Sequence, residues 1–211
     1  MTAAFEELFG IPDAFGRMAM PGRTDLWLLN HALESHGIPC NDPRVRRFRD
    51  AYVRLLAVEL ERPPPPHKYK GVLPGVREVL EAAAARSDVC LALLTGNYEA
   101  AARLKLERFD LWRFFSCGAF GDSHSDRNEL LSIVTALVEP LGGPGQGGAR
   151  TVVIGDTPHD VAVAKAGGVR SVAVATGSHD LETLRATGAD YVFENLSDVP
   201  AVLRVLIQSP A

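Results

Sequence analysis

Cysteine is scarce in this chain of 211 residues: Cys40, Cys90 and Cys117 are odd in number, far apart, and never form a Cys-x-x-Cys pair. That pattern excludes a disulfide framework and a thiolate zinc site, and Cys90 and Cys117 read instead as small core residues inside strand-like runs. Long apolar runs are also missing. None approaches the roughly 20 residues that a membrane-spanning helix needs, and no basic stretch followed by an apolar run reads as a signal peptide. Neither sign of charge dominates, since 22 Lys and Arg stand against 26 Asp and Glu, a net charge of −4. This balance argues against nucleic acid or an anionic membrane as the main partner. A cytoplasmic location is expected.

The residues that are present fit an α/β protein. Hydrophobic residues at 46% and charged residues at 23% are ordinary for a globular chain, and the length suits one medium domain with a smaller insert. Residues 1–69 contain no convincing strand. Met1 to Gly10 reads as a helix, Thr24 can cap another with Leu26, Leu29, Ala32 and Leu33 at helical spacing up to Gly37, and a third runs from about Pro43 to Glu61 with Phe48, Tyr52, Leu55 and Leu56 inward. Pro63 to Pro66 forms a stiff hinge, with Lys68 and Lys70 as surface charges beside it. Residues 70–211 then alternate: helix 74–85, strand 89–94, helix 98–108, strand 116–120, helix 128–139, strand 151–155, helix 158–166, strand 171–175, helix 180–187, strand 190–193 and helix 197–207. Leu141 to Gly148 is a Gly- and Pro-rich loop. Alternation of this kind predicts a doubly wound parallel sheet with right-handed crossovers.

Three segments carry the chemistry. The first is Thr151-Val152-Val153-Ile154-Gly155-Asp156-Thr157-Pro158-His159-Asp160, a buried strand followed by a turn in which Thr157 caps a helix and Pro158 occupies its first turn. Asp160 then faces back toward Asp156, and paired hard oxygen ligands at a strand's carboxyl end suit Mg²⁺. A second buried run, Val89 to Leu94, ends in Thr95-Gly96-Asn97. There a hydroxyl, a close backbone approach and the N–H groups near Asn97 can meet an anion in the crevice where open parallel sheets bind ligands. Between them, Arg127 stands just before a helix, where the dipole does not favour a cation, so it wants another partner. In the helical part, Gly22-Arg23-Thr24-Asp25 places Arg23 at a helix N-terminus, suited either to the distal part of an acidic substrate or to plain capping by Thr24 with Arg23 solvated. His31, His36, His67, His124, His159 and His179 show no ligand spacing, and His159 and His124 read as supporting or surface residues.

Taken in order, Thr95-Gly96-Asn97, Arg127 and Gly155-Asp156-x-x-x-Asp160 resemble motifs two, three and four of the haloacid dehalogenase-like hydrolases, and most closely the phosphoglycolate phosphatase-like group. The resemblance covers nearly the whole chain. It implies a Rossmann-like core over residues 70–211 and a small all-helical cap over 1–69. It also implies a Mg²⁺-dependent phosphomonoesterase that forms an aspartyl-phosphate from a small cytoplasmic phosphate ester. By the family pattern Thr95, with Gly96 and Asn97, binds the transferring phosphoryl group, Arg127 takes the place of the more usual Lys, Asp156 ligates Mg²⁺, and Asp160 supports the metal. Arg23 would contact substrate. A small phosphorylated metabolite is the expected partner, with a homodimer left open.

The family also requires a first strand ending in Asp-x-Asp, and no Asp-x-Asp occurs in these residues. The sequence looks as though it starts after that strand, which leads to the expectation that the chain itself cannot form the intermediate. A non-catalytic phosphate- or metabolite-binding protein is the alternative, and a dehalogenase or phosphomutase the alternative within the family. In relatives the first strand lies between those ending at Thr95 and Asp156. Without it the two strands are expected to pair directly, to borrow a strand from another molecule, or to leave the core weak.

Overall fold

A computed structural model describes residues 1–16, 18–64, 66, 69–122, 124–141 and 151–207. The loop expected over 141–148 lies outside these residues except for Leu141, as do Lys68 and part of the proline hinge.

The first third is helical, as its periodicity requires. Helices α1 (Thr2–Phe9), α2 (Asp25–Ser35) and α3 (Val45–Glu61) come before any strand among the described residues. Thr24 caps α2 by accepting from the Trp27 N–H at 3.1 Å. Leu28, Leu29, Ala32 and Leu33 of α2 are buried with Phe5 of α1 and Phe48 and Tyr52 of α3. Tyr98 and Ala101, from a later helix, complete this cluster, so the helical layer shares its core with the α/β part of the chain. Lys70 is more than a surface charge. Its ammonium donates to the carbonyls of Glu59 and Arg62 at 2.7 and 2.6 Å, covering the open C-terminus of α3.

The rest alternates: α4 (Val76–Ala84), β1 (Ala92–Leu94), α5 (Glu99–Glu107), β2 (Cys117–Ala119), α6 (Arg127–Val138), β3 (Val152–Gly155), α7 (Pro158–Ala166), β4 (Arg170–Val174), α8 (Leu181–Ala186), β5 (Tyr191–Phe193) and α9 (Val199–Ile207). All strand pairs are parallel. The α/β class therefore holds, but the sheet is not continuous: β1 pairs with β2, and β3, β4 and β5 form a separate sheet in that order. Direct pairing of β1 with β3, one of the outcomes expected from the sequence, does not occur. Helices α6 and α7 close the division on one side, with Leu130, Leu131 and Val134 of α6 and Val163 and Ala164 of α7 packed against Ala92 and Leu94 of β1, Ala119 of β2 and Val153 of β3.

Hydrogen-bond alternation shows which backbone groups face the division. The Leu91 carbonyl and the Thr95 N–H bond toward β2, so Ala92 and Leu94, out of phase with them, direct their N–H and C=O groups the other way. On β3 the Thr151 carbonyl accepts from Arg170 N–H in the next strand, which turns Val152 and Ile154 away from β4. The consequence shows in solvent exposure: Ile154, in a strand that should be central, is 42% exposed. We expect the amides of Ala92, Leu94, Val152 and Ile154 to exchange with deuterium about 10²-fold faster than those of Leu93 and Val153. Uniform protection along β1 and β3 would show that the two strands are paired in solution.

Candidate functional site

The turn after β3 is built by reciprocal capping. The Thr157 N–H and hydroxyl donate to Asp160 Oδ2 at 3.0 and 2.8 Å, and the Asp160 N–H donates back to Thr157 Oγ1 at 3.4 Å. With Pro158 in the first turn, α7 starts where the sequence indicated. Gly155 is needed here, because a Cβ on it would fall 2.1 Å from Asp160 Cγ. The other oxygen of Asp160 accepts from Arg127 Nη2 at 2.5 Å. The side chains of this pair are 18% and 6% exposed. Arg127 is the first residue of α6, not the residue before it, since Asp126 is the N-cap and accepts from the Asn128 N–H at 2.8 Å. The partner that Arg127 needs is thus Asp160, and its Nε remains buried without a hydrogen bond.

Asp156 has a different environment. The residue is exposed, while its carboxyl end lies against Gly177, where an added Cβ would sit 2.0 Å from Oδ2. Partial burial raises its pKa above the ordinary carboxylate value, the Asp160 charge adds to that, and Arg127 and His179 work against it. As for Mg²⁺, Asp156 fits as one hard oxygen ligand. Asp160 does not fit as a direct ligand, because both of its oxygens already accept from Thr157 and Arg127. Among the described residues no group of three or more His, Cys, Asp or Glu stands together to hold a metal. A cation here would rely on Asp156 together with phosphate oxygens and water.

The remaining predicted residues divide between places. A cavity of about 310 Å³ is lined by Gly22, Arg23, Trp27, Arg127, Asn128 and His159, among others. The Arg23 guanidinium lies over the Trp27 ring, 4.5 Å from its centroid, and Gly22 packs on the His159 ring. Burial, followed by the charges of Arg23 and Arg127, lowers the His159 pKa. His159 therefore belongs to this cavity wall, a placement its sequence neighbours did not reveal. Asp156 lines a separate apolar cavity of about 180 Å³ with Ile154, Val76 and Leu196. Thr95, Gly96 and Asn97 line neither of these cavities, although Gly96 packs on the backbone of Arg23 and Thr24 at the edge of the larger one.

The N–H groups near Asn97, read from the sequence as pointing at an anion, are already engaged. Asn97 N–H donates to Thr95 Oγ1 at 3.2 Å, Tyr98 N–H to Asp25 Oδ2 at 2.9 Å, and Glu99 N–H to Asp122 Oδ2 at 2.6 Å. Protein oxygens take the place that a ligand was expected to occupy. Asp25, only 3% exposed, was missed as a structural residue; its position one after a capping Thr was the available signal.

A raised carboxyl pKa makes the folded state harder to deprotonate than the unfolded chain, so its stabilising effect is present at low pH and lost as pH rises through the folded value. Asp156→Asn should therefore raise the melting temperature at neutral pH, and the gain should shrink as pH falls through the ordinary carboxylate range. Thermal melts of both proteins between pH 4 and about 8 check this; a variant melting below the parent at neutral pH would contradict it.

Comparison with known proteins agrees with this architecture. A family model described as haloacid dehalogenase-like hydrolase matches residues 13–165, and a related HAD-hydrolase-like model matches 132–199. Among solved structures, a hydrolase from Pseudomonas syringae superposes with a TM-score of 0.66 at 22% identity, covering 98% of this chain and 91% of that one. CbbY from Rhodobacter sphaeroides, solved with phosphate, gives 0.66 at 18% identity over 94% and 88%. A predicted phosphoglycolate phosphatase from Haemophilus somnus gives 0.65 at 17% over 96% and 88%. These identities establish a shared fold. A search of the curated proteins found no match. Because the family model spans well over half of the residues, the chain belongs to the haloacid dehalogenase-like hydrolases.

Proposed function

We propose that this protein handles phosphoryl groups as a phosphomonoesterase of its family, acting on a small phosphate ester, with the helices of residues 1–69 serving as a cap over the core of 70–211. The observation that carries this reading is the largely buried bridge from Arg127 to Asp160, set beside the partly buried carboxylate of Asp156. It provides a held cation whose charge can meet a phosphate, while the Asp156 carboxylate, of like sign to a phosphate, could serve it only through a bound cation. The Thr95 hydroxyl, which accepts from Asn97 N–H, keeps its own hydrogen for a phosphate oxygen. Asp160 acts through Arg127 and the Thr157 turn. Arg23, stacked on Trp27 with no carboxylate partner among the described residues, would meet the distal part of the substrate.

Mg²⁺ is part of this proposal through Asp156 alone; when bound it would neutralise charge on phosphate oxygens. Attack on phosphorus in this family needs a dedicated nucleophilic carboxylate, a role none of Thr95, Arg127 and the metal-side Asp156 fills, and no Asp-x-Asp is present. The same absence favours a second reading, a phosphate-binding protein that does not turn over. A cytoplasmic location fits both; among the described residues no helix is long and apolar enough to cross a membrane.

The 211-residue chain should show only background hydrolysis of an aryl phosphate with Mg²⁺, yet should bind inorganic phosphate, with Arg127→Ala or Thr95→Val weakening binding about tenfold. Robust turnover abolished by Asp156→Asn would overturn the assignment of the missing nucleophile. An extended form carrying an apolar strand that ends in Asp-x-Asp should hydrolyse the ester, and Arg127→Ala should then lower the rate by about 10² to 10³. A form so extended that binds phosphate without hydrolysing it would favour the second reading.

A further inference from the structure

The start of α2 and the start of α5 share one polar cluster, of which the proposed chemistry uses only the turn 95–97. Three successive N–H groups at the beginning of α5 lack partners within the helix, as at any helix N-terminus. They are satisfied from three directions: Thr95 Oγ1 takes Asn97, Asp25 of α2 takes Tyr98, and Asp122 of the loop after β2 takes Glu99. Asp25 also donates its own N–H to the Gly96 carbonyl at 2.6 Å. Gly121 N–H closes on the Asn97 carbonyl at 2.9 Å, and the buried Lys105 ammonium holds Asn97 Oδ1 at 2.7 Å. Gly96 has no room for a side chain, since a Cβ there would lie 2.3 Å from the Arg23 carbonyl oxygen. Thr24 adds a bond from its hydroxyl to the Ser125 carbonyl at 3.2 Å.

We infer that Asp25 is a positioning residue for the turn 95–97, with Lys105 as its counterpart across the turn. The inference rests on the phosphate-binding role proposed for Thr95. Asp25 works by hydrogen-bond geometry: one residue supplies both an acceptor for Tyr98 N–H and a donor for Gly96 C=O, so α2 clamps the turn from both sides. Lys105 fixes the Asn97 side chain. Once these bonds are made, the donors left on the turn among the described residues are the Thr95 hydroxyl hydrogen, the Gly96 N–H and the Asn97 Nδ2 amide, whose orientation Lys105 sets by holding Oδ1, adjacent groups positioned for phosphate oxygens. The charges facing Asp25 are those of Lys105, the Met1 amino group and, with like sign, Asp122. The Tyr52 and Tyr98 phenols are near enough to feel its charge, and Asp25 is almost fully buried, which keeps water from competing for the bonds.

Asp25→Ala, Asp25→Asn and Lys105→Met test this by amide exchange and by NMR titration with inorganic phosphate. Asp25→Ala should speed exchange of the Tyr98 amide by about 10²-fold and weaken phosphate binding about tenfold. Asp25→Asn retains an acceptor and the backbone N–H, and should restore binding to within about threefold of the parent. Lys105→Met should weaken phosphate binding several-fold while the melting temperature stays within a few degrees. A folded Asp25→Ala protein that binds phosphate within about twofold of the parent and protects the Tyr98 amide would overturn the inference. Asp25→Asn binding as weakly as Asp25→Ala would also overturn it, because charge and not geometry would then matter. Should Asp25→Ala fail to fold, Lys105→Met decides: parent-like binding overturns the inference and weakened binding upholds it. If the parent itself ignores phosphate, the phosphatase reading fails, and exchange at Tyr98 alone decides whether Asp25 positions the turn.

Discussion

The bond between Arg127 and Asp160 joins two halves of a core that no strand joins. Arg127 begins α6, which packs on β1 and β2; Asp160 lies in the first turn of α7, which packs on β3 and β4. Since β1 and β3 belong to separate sheets, the halves meet through α6 on α7, with this pair at one end, and through α4 on α9. Removing one member of a largely buried ion pair typically costs about 3 to 5 kcal/mol, because the other is left charged and unpaired. Here Thr157 would still satisfy half of Asp160, so the lower part of that range applies. The same pair holds a cation beside Asp156, and so structural and chemical demands fall on one side chain.

The residues of the candidate site gather at helix starts. α2, α5, α6 and α7 all begin near the candidate site, and each has its exposed N–H groups met by an oxygen: Thr24 for α2, Asp25 and Asp122 for α5, Asp126 for α6 and the Thr157-Asp160 box for α7. Helix N-termini attract anions. In this protein the positions at α5 are filled by its own carboxylates. Those carboxylates come from other elements, so the capping that stabilises α5 also attaches the helical layer to the turn after β1. The layer is anchored by α2 at this point, and by Phe48 and Tyr52 of α3 sharing a core with Tyr98 and Ala101.

Asp156 and Asp160 show how one short turn separates two carboxylates. Asp160 is buried and takes every hydrogen bond available, from Thr157 and from Arg127. Asp156, four residues earlier, receives little of that support and has a raised pKa. The carboxylate with the weaker support is thus the one less committed to the fold's own hydrogen bonds.

Much of the fold was legible in local sequence. Thr24 and Thr157 are side chains that accept from N–H groups three residues away, so those two helix starts could be read within a window of a few residues; Asp126 carries the same local signal at α6, which the reading of Arg127 as preceding the helix passed over. The alternation of apolar strands with helices likewise required parallel pairing, and Asp156 and Asp160 followed from one turn. What the sequence could not determine depends on partners far along the chain. That Arg127 pairs with Asp160, that Asp25 takes the Tyr98 N–H across 73 residues, and that His159 meets Gly22 in a cavity wall are all outcomes of packing. The division between β1 and β3 is of the same kind, because strand order is set by which edges come together in space, and each strand's own residues specify only that it has two edges to satisfy.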